Sequence, residues 1–182
     1  MALHPPAVTP LAFVLGFTLA LWGCAAEEPF GPSSGEQGGN LGYASTFEAN
    51  PAEEEAHGLV NDYRADEGRS PLDFRNEAGD LARGHSDDMA AGDAGLGHMG
   101  FEERAEEILD LLPAATAVGE NVGRVDGAYD EAEAAEAMLL YWQDSPDHDA
   151  NLLNEGWTLA GTGAVQNSED SWYFTQLYVS TN

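Results

Sequence analysis

The spacing of apolar residues changes character once along this chain, and that change limits the folds open to it. Up to Gln143 the apolar residues recur at helical intervals, and from Trp157 onward they follow one another in β-branched and aromatic runs. The spacing predicts a first helix over residues 51 to 67, begun by Asn50-Pro51-Ala52-Glu53, which places an N-cap, a proline and an acid where a helix start needs them. Its stripe is Ala56, Leu59, Val60 and Tyr63, and Gly68 stops it. A second helix over 77 to 91 carries Ala78, Leu81, Ala82, His85 and Met89 on one face, which turns His85 toward the core. A third is expected over 101 to 112, closed by Pro113, and a fourth over 130 to 143, with Ala132, Ala135, Met138, Leu139 and Trp142 inward and Ser145-Pro146 as its breaker. Residues 157 to 165 and 172 to 179 then form an antiparallel hairpin around the turn residues 167 to 171, and 119 to 125 offers a third strand. Helices followed by a late cluster of strands make an α+β fold, with helices packed on a small antiparallel sheet.

Not all of the 182 residues belong to that fold. Residues 11 to 23 are apolar and uncharged, long enough for a signal core and too short for a bilayer span. They end in Leu21-Trp22-Gly23-Cys24, which resembles a bacterial lipobox, so residues 1–24 read as a lipoprotein signal and Cys24 as the acylated new N-terminus. A plain secretory signal cut near Ala25 is the alternative, and export follows from both. Residues 25–50 are rich in Gly, Ser, Pro and Glu without periodicity and read as a tether, leaving 51–182 as the folded domain. Cys24 is the single cysteine, so no disulfide braces that domain.

All 33 acids and all six bases, every one arginine, follow Cys24, which gives the exported part the whole net charge of −27. Nucleic acid is excluded as a partner, because six scattered arginines assemble no basic face. Chemistry must come from few residues. His57 sits beside the first helix's stripe and reads as a surface residue, and His85 reads as a core histidine bonded to backbone. His98 lies in the glycine-flanked loop Gly95-Leu96-Gly97-His98-Met99-Gly100, Glu120 in the apolar stretch Gly119-Glu120-Asn121, and His148 just past the fourth helix. Two imidazoles and a carboxylate are ordinary ligands for zinc or another divalent metal, with a position left for water. A carboxylate accepting backbone hydrogen bonds can equally serve the fold. No His-Glu-x-x-His helix, EF-hand loop or activated Ser or Cys is present.

Taken in order, Val60-Asn61-x-x-Arg64, Pro71-Leu72, His85-Ser86-x-x-Met89, Gly97-His98, Gly119-Glu120-Asn121, Trp142-x-x-Ser145-Pro146-x-His148-x-x-Asn151-Leu152, Gly161-x-Gly163 and Thr175-Gln176 resemble the bacterial branch of the CAP superfamily, the SCP-like extracellular proteins. The resemblance spans residues 53 to 180. It implies a three-layer α-β-α sandwich and a cavity holding His98, Glu120 and His148, with Asn121 and Ser145 beside them. Ser145 stands where eukaryotic members carry a second glutamate, and Asp149 where an arginine is usual, so the full ligand set is not reproduced.

Three functions follow as expectations. The first is a non-catalytic module of the cell envelope, membrane-bound through lipidated Cys24, that takes a small lipid-like or cell-wall ligand. The second is a metal-dependent hydrolase using His98, Glu120 and His148, with His98 and His148 as metal ligands. The third is a scaffold for partner proteins. The charge of −27 also predicts tolerance of salt: self-repulsion fades as the Debye length contracts to about 3 Å near 1 M, so the melting temperature should rise with sodium chloride. Thermal melts from dilute buffer to molar salt check this, and a falling midpoint would remove the saline-habitat reading.

Overall fold

The computed structural model describes residues 46–181. The signal, Cys24 and the tether up to residue 45 lie outside the described residues. Helix α1 (Pro51–Asp66) opens with the expected capping box, in which Asn50 accepts from the Glu53 amide at 3.1 Å and the Glu53 carboxylate accepts from the Asn50 amide at 2.8 Å. Upstream of it Phe47 is already buried and stacks on Phe74, so the chain docks before the first helix begins. Strand β1 (Asp73–Phe74), helix α2 (Asn76–Ala91), helix α3 (Phe101–Leu111), strand β2 (Ala117–Asp126) and helix α4 (Glu131–Gln143) follow, then α5 (Pro146–Leu152), β3 (Leu159–Gln166) and β4 (Ser171–Ser180).

The strands form one sheet in the order β1-β3-β4-β2, antiparallel except where the short β1 runs parallel to β3. Every residue of β4 from Trp172 to Ser180 is buried, as a strand covered on both faces must be. Trp172, Phe174 and Tyr178 point to one core with Ala52, Ala56 and Val60 of α1 and Ala134, Met138 and Trp142 of α4. Leu177 and Val179 point to the other, with Ala78 and Ala82 of α2 and Ile108 of α3. Three layers result, with α1, α4 and α5 on one side of the sheet and α2 and α3 on the other.

The hairpin, the four expected helices and the strand around Glu120 are all present. Two elements had no signal: β1 is two residues long, and α5 is a seven-residue helix where only a break was expected. In α4 the buried alanines are Ala134 and the expected Ala135, while Ala132 is exposed. The stripe of α1 also buries the charged Glu53 and Arg64, which no apolar count can foresee.

Helix α2 rests on β3 with almost nothing between them. A Cβ on Gly161 would overlap the amide nitrogen of Gly79, and one on Gly163 the amide nitrogen of Arg83. Neither obstacle is a flexible side chain, so the helix itself would have to move. Gly163→Ala should therefore cost upwards of about 3 kcal/mol, beyond ordinary overpacking. Gly84→Ala, on the exposed face of α2 with nothing within 4 Å, should stabilise by about 0.5–1 kcal/mol. Denaturant midpoints of the two variants check the pair, and comparable midpoints would contradict the close-contact argument.

Candidate functional site

The site grows from the seating of α2. Gly92 ends that helix in a left-handed conformation, φ 82°, and the chain enters a loop in which Gly97 and Gly100 also carry positive φ. His85, buried on α2, holds this loop through a 2.7 Å hydrogen bond between its Nε2 and the Gly97 carbonyl. His98 follows one residue later. Across from it, β2 turns the Glu120 side chain to the α2–α3 side, because Glu120 pairs in register with Leu177 of that core.

Glu120 is 1% exposed and its two oxygens have different partners. Oε1 stands 2.9 Å from His98 Nδ1. Oε2 accepts from Arg104 Nε at 2.9 Å and stands 2.7 Å from Arg104 Nη2, an ionic contact in which Nη2 makes no second hydrogen bond. Arg104 Nη1 donates to the Met99 carbonyl at 2.9 Å. An ionised carboxylate only accepts, so the His98 nitrogen facing it carries a proton. The loop also leaves Leu96 and Met99, on either side of His98, 47% and 58% exposed.

The neighbouring residue of β2 has another task. Asn121 points to the opposite side of the sheet and is fully buried, donating at 3.1 Å to both the His148 carbonyl and the Tyr178 hydroxyl. It accepts from Asn151 at 2.9 Å, and Asn151 also reaches the Glu120 carbonyl at 3.3 Å. The network continues from Tyr178 to Gln176 at 2.6 Å and from Gln176 to Thr162 at 3.1 Å. Burial pushes the Tyr178 phenol well above its ordinary value, which keeps it a neutral donor. His148 is fully buried on α5 with its ring 5.6 Å from that of Tyr141, and Ser145 is buried at the N-cap of the same helix.

The fold thus joins His98 to Glu120 directly and ties the backbone of His148 to the next residue of the strand. Among the described residues no group of three or more His, Cys, Asp or Glu side chains is placed to hold a metal ion. Glu120 already has a partner on each oxygen, His98 on Oε1 and Arg104 on Oε2, so a divalent cation ligated by it would have to displace one of them. Arg104 went unnoticed in the sequence, yet a signal existed. It is the single basic residue between Arg83 and Arg124, and it stands in the first turn of a helix, where the dipole favours acids.

Two concavities, of about 570 and 430 Å³, are lined by other residues, the larger by Phe47, His57 and Phe74 among them. His57, expected on the surface, is half-buried there, with Nε2 3.1 Å from the Leu72 carbonyl and its ring edge-on to Phe74.

Burial lowers the His85 imidazole below its ordinary 6.5, against the raising influence of the Gly97 hydrogen bond and with Arg104 adding to the fall; Glu120 and Asp88 act the other way. The unfolded chain therefore takes up this proton first as pH drops. The stability tied to neutral His85 is complete above about pH 6.5 and is lost as pH falls below it. Melting temperatures between pH 7.5 and 5 should decline more steeply in the wild type than in His85→Gln, and parallel slopes would contradict this assignment.

Comparison with known proteins agrees with this architecture. The family described as CAP, the cysteine-rich secretory protein family, matches residues 57–178. No curated protein matches the chain. An extracellular protein containing an SCP domain from Bacillus anthracis strain Ames superposes with a TM-score of 0.53 at 24% identity, over 71% of this chain and 40% of that one. This chain therefore spans about two fifths of the Bacillus protein's length. An outer surface protein from Borrelia burgdorferi gives 0.60 at 12% identity, over 75% and 97% of the two chains. NaASP2, in a structure with Zn2+, gives 0.55 at 12% identity, over 71% and 80%. With two thirds of its length matched by the family, and the three-layer sandwich that its sequence implied, this chain belongs to the CAP family.

Proposed function

We propose that this CAP domain is exported, is held at the cell envelope by an acylated Cys24, and works there as a non-catalytic binding module for a small lipid-like or cell-wall ligand. The observation that carries this reading is the state of the Glu120 carboxylate. It is buried and shared between His98 and Arg104, one partner on each oxygen, so its charge is compensated within the protein. A nearly neutral polar centre flanked by exposed Leu96 and Met99 suits an amphipathic molecule, its polar group toward His98 and its apolar body over the loop. Export is supported by two similar structures, those of an extracellular and an outer surface protein. No helix among the described residues is long and apolar enough to cross a membrane.

The alternative, a metal-dependent hydrolase built on His98, Glu120 and His148, requires the Glu120 carboxylate to give up one of its two partners, and no observation favours that. The full chain expressed in a bacterium should sediment with membranes, and Cys24→Ser should move it to the soluble fraction. The exported domain should bind either vesicles of zwitterionic phospholipid or purified peptidoglycan, and Met99→Ser should weaken that binding about tenfold, equivalent to about 1.4 kcal/mol. Binding to neither probe, or hydrolysis dependent on added zinc, would overturn the proposal.

A further inference from the structure

We infer that Arg104 is the resident cation of this site, a guanidinium that stands against the His98–Glu120 pair in place of a divalent metal and fixes how that pair is arranged. A carboxylate 1% exposed needs a compensating charge close by. Arginine commonly meets a carboxylate as a fork, with one nitrogen on each oxygen. Here both contacting nitrogens of Arg104 stand on Oε2, and Oε1 is left to His98. A fork across both oxygens would compete with the imidazole for Oε1, whereas this arrangement gives each partner its own oxygen.

The guanidinium is fixed from its other end as well. Nη1 donates to the carbonyl of Met99, the residue after His98, so one side chain spans the loop that carries the imidazole and the strand that carries the carboxylate. Gly100 lies where that span is tightest: a Cβ there would stand 3.1 Å from Nη1. Helix α3 gains nothing from the residue. Its first turn holds Glu102 and Glu103, as the dipole prefers, and a cation there is unfavourable unless something else holds it. Glu120 is that holder.

Both oxygens of Glu120 have a partner, Oε1 in His98 and Oε2 in Arg104, so a metal ligated directly by this carboxylate would have to displace one of them. Removing the guanidinium leaves a buried carboxylate beside an imidazole, two ordinary zinc donors with an uncompensated charge. Arg104 is thus a positioning residue that keeps the wild-type site closed to metals. The inference stands independently of the ligand class proposed above.

The experiment is a zinc titration of the folded domain, read through the imidazole 15N shifts of His98, because the strongly acidic surface binds zinc loosely and a bulk measurement would count it. In the wild type, His98 should show the tautomer protonated on Nδ1 and stay unmoved at stoichiometric zinc. In Arg104→Ala the His98 shifts should move with zinc, with an apparent affinity at least tenfold tighter. Arg104→Lys, which keeps the charge, should behave as the wild type, and Arg104→Ala combined with Glu120→Gln should lose the gained response. Zinc shifting wild-type His98 as readily as in Arg104→Ala, or a folded Arg104→Ala that fails to respond, would overturn the inference. Should Arg104→Ala not fold, Arg104→Met replaces it, and the wild-type titration decides on its own. No lipid or peptidoglycan is present, so this titration is read separately from the binding assays: a wild-type His98 that responds to zinc counts against both readings, whereas failure to bind either probe counts against the binding module alone.

Discussion

Everything on the α2 side of the molecule depends on a helix backbone lying directly against a strand backbone. Gly161 and Gly163 alternate on β3 with Thr162, so both present bare Cα atoms to α2, and the helix settles where side chains would otherwise stand. Polar contacts then hold what the glycines permit. Ser86 on α2 donates to the Gly163 carbonyl at 3.1 Å, and its hydroxyl stands 2.9 Å from that of Thr175 on β4. The carboxylate of Glu53, fully buried, accepts from the Ala164 amide of β3 at 3.0 Å, from Asn50 at the start of α1 and from Arg83 of α2. One side chain therefore joins three elements. It can remain ionised inside the protein because its oxygens are satisfied and a guanidinium stands beside it.

The same economy of cations runs through the molecule. Arg69, Arg75, Arg83, Arg104 and Arg124 each meet a carboxylate, of Glu155, Glu77, Glu53, Glu120 and Asp126 respectively. Arg64, buried, donates instead to the carbonyls of Ser70, Leu152 and Asn154. All six basic residues of the sequence are thereby engaged within the protein, and the acids left over set the field at the surface. Three of the arginines, Arg64, Arg83 and Arg104, stand where a buried acid or a cluster of carbonyls would otherwise be left unsatisfied, whereas Arg69, Arg75 and Arg124 meet acids that are not buried. Arg104 belongs to the first three, which is why its placement against Glu120 bears on the site and not on the surface.

The sequence made visible whatever depends on local pattern. The α1 capping box, the Gly68 stop, the β-branched and aromatic runs of the final strands and the core position of His85 are all short-range signals, and each matches the structure. Features set by tertiary contact were hidden. Helix α5 is only seven residues long, and β1 is two residues held by β3. Glu53 and Arg64 have the look of solvated charges on an amphipathic helix, and their burial follows from partners as far away as Ala164 and Leu152. The candidate site divides in the same way. The glycine loop and the isolated acid drew attention to His98 and Glu120. Arg104 was concealed among the acids of α3, since no periodicity marks a residue whose partner lies on another element.

The adjacency of Glu120 and Asn121 shows how such a site stays tied to its fold. Successive residues of a strand face opposite ways, so one dipeptide can serve a charged centre on one side of the sheet and a neutral network on the other. Asn121 fixes β2 against α5 through the His148 carbonyl and against β4 through Tyr178, while Asn151 reaches the Glu120 carbonyl itself. The backbone beneath the carboxylate is therefore anchored from the far side. Its side chain has no slack to follow a displaced partner, and the loop bearing His98 is pinned in turn by His85 and Arg104. Imidazole, carboxylate and guanidinium are each held from outside the cluster, so the position of the proton between His98 and Glu120 is a property of the fold as a whole.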